Sequence, residues 1–148
     1  MSDRDRVKIF LESERLDAPY LKLLVRTPAA GAIVTFEGTV RDHHDGRKVI
    51  AIEYEAYDAM ALGQLRSIAQ EALDYWQLAG VAIAHRIGPI PIGETAVVIA
   101  VSSVHRREAF EACSHIIDRL KDVVPIWKKE TTEEGSGWIG ESTLFRDS

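Results

Sequence analysis

Apolar residues recur along the chain with two different periods, and those periods sketch its elements. Residues 7–12 (VKIFLE) read as a first strand. Asp17 stands where an N-cap belongs, ahead of a short helix through Tyr20 to Val25 that Thr27-Pro28 ends. Residues 31–41 (GAIVTFEGTVR) are rich in β-formers, a turn-like DHHDG follows, and 49–57 (VIAIEYEAY) alternate. Together they predict a hairpin with a mobile tip around His43 to Arg47. The strongest helical pattern runs from about Ala59 to Ala79, where Leu62, Leu65, Ile68, Ala69, Ala72, Leu73 and Trp76 share one spacing. Asp58 is placed to cap its front, and Gly80 to close its back in a left-handed turn.

Residues 81–88 and 95–103 predict two more strands, separated by the turn-rich PIPIGE. A second long helix, from about His105 to Lys121, turns Phe110, Cys113, Ile116, Ile117 and Leu120 inward. Pro125 separates it from a short strand over 126–131, and a Gly-Ser-Gly break leads into WIGEST and a frayed end. The sequence shows no internal repeat, low-complexity tract or linker. Strands joined mostly by hairpins, interrupted by helices, predict an α+β fold with a mainly antiparallel sheet.

Length and composition narrow this picture. The 148 residues suit one domain over 1–148, with 137–148 expected as a loosely ordered tail. Hydrophobic residues at 46% and charged residues at 28% are those of a globular chain, which excludes the disordered and fibrous classes. Eighteen basic against 23 acidic residues leave a net charge of −5, which argues against a nucleic-acid partner. The one cysteine, Cys113, makes neither an internal disulfide nor a thiolate zinc site. No apolar run approaches the length of a membrane span, and the N-terminal MSDRDRVKIF lacks the apolar core of a signal peptide. The expected setting is the cytoplasm, with no membrane partner.

Three segments carry candidate chemistry. In VSSVHRREAF (101–110), His105, Arg106 and Arg107 occupy the first turn of a helix, where acidic residues are favoured. Free N–H groups, the helix dipole and two guanidiniums suggest a phosphate or carboxylate site. A solvated basic turn, offset by Glu108 and Glu111, explains the same residues. In KDVVPIWKKE (121–130), alternation from Pro125 puts Ile126 and Lys128 on one face and Trp127 and Lys129 on the other. A lysine beside an inward isoleucine suits a base or nucleophile; taken alone, the segment reads as an edge strand guarded by lysines. In FEGTVRDHHDG (36–46), Arg41 follows a strand in a position suited to a ligand-facing cation. His43 and His44 are adjacent and point apart, so they read as a polar tip and not as a metal site. Glu53 and Glu55 read as the wet side of a strand, Cys113 as core, and His85 and His115 as structural. No metal or cofactor is called for.

These segments, in order, resemble the large, catalytic subunit of molybdopterin synthase. The resemblance runs from about Gly31 to Trp138 through GAIVTFEGTVR, YEAYDAMA, HRIGPIPIGE, VSSVHRREAF and KDVVPIWKKE. It implies an α/β-hammerhead with an added, mainly antiparallel β-sheet. It also implies sulfur transfer from the thiocarboxylated Gly-Gly tail of a small ubiquitin-like carrier subunit. Two such transfers to cyclic pyranopterin monophosphate install the dithiolene of molybdopterin. The family's assembly is a central homodimer with one carrier at each end, a heterotetramer.

By motif position, the resemblance makes Lys121 and Lys128 the catalytic lysines. Arg41, His105 and Arg106 become substrate-pocket residues, with Thr39, Val40, Lys129 and Glu130 in flanking segments and Phe36 in the same wall. The tail departs from the pattern: family members often carry a basic residue soon after the final tryptophan, whereas here Ile139-Gly140-Glu141-Ser142 follow and Arg146 is the only later arginine. Arg106 and Lys121, fifteen positions apart on one predicted helix, stand ~22 Å apart along its axis. A pterin monophosphate is too short to touch both, so a site using both draws them from two protomers. The alternative function is a non-catalytic α+β module that binds a phosphorylated metabolite through the His105-Arg106 turn.

Overall fold

The computed structural model describes residues 3–132 and 135–139. A single helical turn, α1 (Asp3–Arg6), leads into β1 (Val7–Glu12) and α2 (Ala18–Val25). Next come β2 (Ala32–Thr39), β3 (His43–His44), β4 (Arg47–Ala56) and α3 (Asp58–Trp76). The strands β5 (Gly80–Arg86), β6 (Gly88–Ile90) and β7 (Thr95–Ser103) precede α4 (Arg106–Val123), β8 (Ile126–Thr132) and β9 (Gly135–Ile139). Part of the expected tail, residues 137–139, thus belongs to β9. The rest, including Arg146, lies outside the described residues.

The strands form two sheets, ordered β1-β5-β7-β2 and β3-β4-β8-β9, with β6 also paired to β4. In the first sheet only β1 and β5 run parallel. Its central strands are buried on both faces, which is why they read as unbroken apolar runs. Val81, Ile83, Val97, Ile99 and Val101 pack with α3 and α4, including Leu65, Ile68, Ile116 and Leu120. The opposite face of Ala82, Ala84, Val98 and Ala100 receives Leu21 and Val25 of α2. Small residues on that face admit the short helix, which starts at Asp17 with its carboxylate accepting from the Tyr20 N–H at 3.1 Å. This is the α+β architecture the element order predicts, and no helix among the described residues is long and apolar enough to cross a membrane.

Four local expectations are corrected. First, β2 does not pair with β4; it lies antiparallel to β7 at the edge of the first sheet. Alternation shows that a strand has two faces and says nothing of which strand lies beside it. The chain leaves the first sheet at a bulge between Gly38 and Thr39 and crosses to the second. A Cβ on Gly38 would stand 2.7 Å from Val97 Cγ1, so only glycine fits there. The hairpin that does form is β3–β4, turned by Asp45 (φ 53°) and Gly46 (φ 75°).

Second, the N-cap of α3 is Tyr57, which makes no side-chain cap, and its left-handed C-cap is Gln77 (φ 53°), with Gly80 already in β5. Asp58 lies inside the first turn, where its charge still favours the helix dipole. Third, Phe110 points outward and is 61% exposed. The buried stripe of α4 runs through Ala109, Ala112, Cys113, Ile116, Ile117 and Leu120, and position 110 falls at its edge, about 20° beyond Ile117 around the helix. Fourth, β8 is no edge strand. It is paired on one side by β4 and on the other by β9.

Candidate active site

Strand alternation sets the floor of the site. Ile126, Lys128 and Glu130 share one face of β8, the first two buried and Glu130 half-buried. Across the antiparallel register, Lys128 faces Tyr54 and Glu130 faces Ile52. The segment that crosses from β2 to β3 brings Thr39, Val40 and Arg41 over this floor. It is held by the Val40 N–H donating to the Glu94 carbonyl at 2.9 Å and the Gly93 N–H donating to the Val40 carbonyl at 2.8 Å. Arg86 anchors the same loop through Glu94, with Nη1 to Oε1 at 2.7 Å. The result is a small cavity of about 30 Å³. Thr39, Val40 and Arg41 line it together with His43, His44, Tyr54, Lys128 and Glu130.

Its polar groups are coupled. Nδ1 of His44 lies 2.8 Å from Oε2 and 2.9 Å from Oε1 of Glu130, and Lys128 Nζ lies 3.9 Å from Oε2. Burial, and secondly the negative charge of Glu130, push the Tyr54 hydroxyl well above its ordinary pKa. Tyr54 therefore stays protonated and can donate. Behind it, His85 meets the Tyr54 ring edge-on at 5.1 Å. A lysine 8% exposed, beside one carboxylate and a neutral phenol, is a cation confined to a tight slot. Such a site can neutralise an incoming anion and stabilise negative charge that develops on it.

The sequence-derived residues fall into two groups. Thr39, Val40, Arg41, Lys128 and Glu130 converge on the cavity; Lys121, Lys129, Phe36, His105 and Arg106 do not line it. Lys121 occupies the last turn of α4, across the Val124-Pro125 corner from Lys128. Phe36 is half-buried in β2, and Lys129 is half-buried on the other face of β8 beside Trp127. His105 and Arg106 open α4 at its far end, both exposed, with the Ser103 hydroxyl donating to the His105 carbonyl at 2.5 Å.

Besides His43, Val49 and Ile52, two cavity residues that bear on its chemistry escape the sequence reading. Tyr54 carried a signal, a phenol at a buried phase of an alternating strand. His44 carried none, since its partner is 86 positions away. Of the other candidates, Glu53 is half-buried and Glu55 exposed on the outer face of β4, beside the Tyr57–Trp127 ring pair at 4.6 Å. His115 packs on Trp76 at 5.2 Å. Cys113 is buried, and burial pushes its thiol up to about 11, so it stays protonated in the core. Among the described residues, no three His, Cys, Asp or Glu side chains gather as a metal site.

Comparison with known proteins identifies the family. The family described as MoaE protein matches residues 11–123. The molybdopterin synthase catalytic subunit of Arabidopsis thaliana is 46% identical over 143 residues, covering 97% of this chain and 72% of its own. The crystal structure of molybdopterin synthase from Staphylococcus aureus superposes with a TM-score of 0.84 at 41% identity, covering 88% of this chain and 95% of that one. A complex of subunits 1 and 2 of molybdopterin-converting factor from Helicobacter pylori 26695 shares the fold, with a TM-score of 0.69 at 22% identity over 88% of this chain and 87% of that one. The matched span includes the Arg41 crossing, the His105-Arg106 turn and Lys121, and the relatives' coverage extends over nearly the whole chain. The chain therefore belongs to the MoaE protein family, that of the catalytic subunit of molybdopterin synthase, and is an enzyme of sulfur transfer in molybdenum cofactor biosynthesis.

Proposed function

We propose that the Lys128 cavity is where a carrier's thiocarboxylated Gly-Gly tail delivers sulfur to cyclic pyranopterin monophosphate. The observation that carries this reading is the convergence of Thr39-Val40-Arg41, from the end of β2 and the crossing after it, with Lys128 and Glu130 of β8 around one buried ammonium. A cavity of about 30 Å³ has room for only about two waters, so the reacting sulfur end of the tail, and not the tail itself, reaches Lys128. Sulfur arrives as an anion and the substrate carries a phosphate, so cations are the required chemistry. Lys128 and Lys121 act at the chemical centre, Arg41 steadies the anions, and Tyr54 donates to developing negative charge. Thr39, Val40, Lys129, Glu130 and Phe36 shape the surrounding wall. His105 and Arg106 hold the phosphate at a helix N-terminus. The free, buried thiol of Cys113 fits a cytoplasmic setting and leaves the sulfur to the partner.

Two further subunits complete the reading. The carrier partner is supported by the two-subunit complex that shares this fold. A second copy of this chain is supported by the length of α4, which holds Arg106 ~22 Å from Lys121 along its axis. The exposed Val104 and Phe110 beside Arg106 give that copy an apolar face to cover. The test is molybdopterin formation from thiocarboxylated carrier and precursor. Lys128→Ala and Lys121→Ala should each lower kcat by at least about a hundredfold, whereas Arg106→Ala should chiefly raise KM for the precursor. A wild-type protein that binds the precursor yet forms no molybdopterin would establish the metabolite-binding module instead.

A further inference from the structure

His44 has no part in the reading above, yet it reaches the centre of the site. It sits at the base of the β3–β4 turn, and its imidazole meets both oxygens of Glu130 at nearly equal distance, 2.9 and 2.8 Å. The His44 and Glu130 side chains are only 13% and 11% exposed, so this contact is shielded from bulk water. The same Oε2 of Glu130 lies 3.9 Å from Lys128 Nζ. One carboxylate thus stands between an imidazole and an ammonium. Among the described residues, the other charged and titratable groups around it include Tyr54 of β4, Arg41 and His43 at the cavity wall, Arg47, which pairs with His44 across the β3–β4 register, and Asp45 in the turn, whose Oδ2 is 3.7 Å from His44 Nε2.

We propose that His44 is a positioning residue for sulfur transfer, aiming Glu130 at Lys128 and, through its own protonation, setting how much of that carboxylate's charge the lysine feels. The proposal rests on Lys128 acting in sulfur transfer. When His44 is neutral, Nδ1–H donates to Glu130 and the carboxylate's full charge holds Lys128 as the ammonium. When His44 is protonated, a second cation competes for the same oxygens, and the neutral amine of Lys128 becomes easier to form. Lys128 and His44 therefore titrate as a linked pair around one anion.

The test uses the assembled enzyme with its carrier and reads two quantities. The first is the rate at which Lys128 reacts with an amine-acylating reagent, followed by mass spectrometry between about pH 5.5 and 9. An isolated amine below its pKa gains about tenfold in rate per pH unit. In the wild type, Lys128 should gain visibly less than that through the His44 titration. His44→Asn retains an amide donor for Glu130 but cannot titrate, and should restore the full slope. The second quantity is single-turnover sulfur transfer. His44→Ala should lower its rate about tenfold with KM for the precursor within about twofold of wild type, and His44→Asn should recover most of the rate while losing the pH inflection.

If His44 only clamps the turn, His44→Ala lowers thermal stability and leaves the Lys128 acylation profile unchanged, which overturns the proposal. Undiminished turnover in Lys128→Ala overturns it differently, through the catalytic reading on which it rests. In that case the acylation profile still responds to His44, so the two failures are told apart.

Discussion

His85 is fully enclosed between the two sheets, and its protonation is tied to folding. Burial holds its pKa down to about 4, opposed by the hydrogen bond that Nδ1–H donates to the Arg86 carbonyl at 2.8 Å. An unfolded chain returns this imidazole to about 6.5. Between those values the unfolded state binds the proton and the folded state does not, so stability is lost as pH falls from about 6.5 toward 4. The loss is about 1.4 kcal/mol per pH unit, or roughly 2 kcal/mol by pH 5. His85→Gln keeps a donor near the Arg86 carbonyl and removes the titration. Its unfolding free energy, from urea melts, should therefore differ between pH 7 and pH 5 by about 2 kcal/mol less than in the wild type. Equal pH dependence in both proteins would refute the assignment. At this scale the sequence was legible for residues well inside an element's own pattern, since Cys113 lies on the apolar stripe of α4 and Lys128 shares the face of Ile126, but not for Phe110 at the edge of that stripe. His44 was opaque because its nearest charge is contributed by β8, and no local pattern encodes a contact over 86 positions.

Elements show the same division. The bounds of β1 and β7 were readable to the residue, because an apolar run flanked by turn residues ends where burial ends. The Asp17 cap was readable because a carboxylate three positions before an orphan N–H acts within one turn. Strand partners were not readable: β2 alternates as a hairpin arm would, but the bulge at Gly38 sends the chain to the other sheet and leaves β2 against β7. That detour is what carries Thr39, Val40 and Arg41 over Lys128. The β3–β4 turn is the element most exposed to a single change. Gly46 sits at φ 75°, and a Cβ there would touch nothing within 4 Å, so an alanine costs only backbone strain. Gly46→Ala should destabilise the protein by about 1 kcal/mol in urea melts and loosen the His44 imidazole in histidine NMR spectra. An unchanged melt with an unmoved His44 resonance would show that the turn tolerates the substitution and that His44 is held by β8 alone.

For the whole molecule, the net charge of −5 conceals an uneven distribution. Arg41 and Lys128 stand at one cavity, with Lys121 nearby in sequence, while His105 and Arg106 lie at the opposite end of an eighteen-residue helix. A helix is rigid on this scale, so no motion within one chain closes a ~22 Å gap between Arg106 and Lys121. Either Arg106 has no part in the site, or the site is built by two chains. Complementation separates these cases. Lys121→Ala and Arg106→Ala proteins are each mutant at every shared site. In a mixed dimer, one site combines both lesions and the other combines both native residues. Equimolar exchange makes half the dimers mixed, so the pool should regain about a quarter of wild-type turnover. The regained sites should show the wild-type KM for the precursor, because nothing in them is altered. If exchange is verified by mass and no activity returns, Arg106 and Lys121 do not meet across an interface. The exposed Phe110 and Val104 then need another occupant, and the phosphate must be held by cations within a single chain, with Arg41 the first candidate.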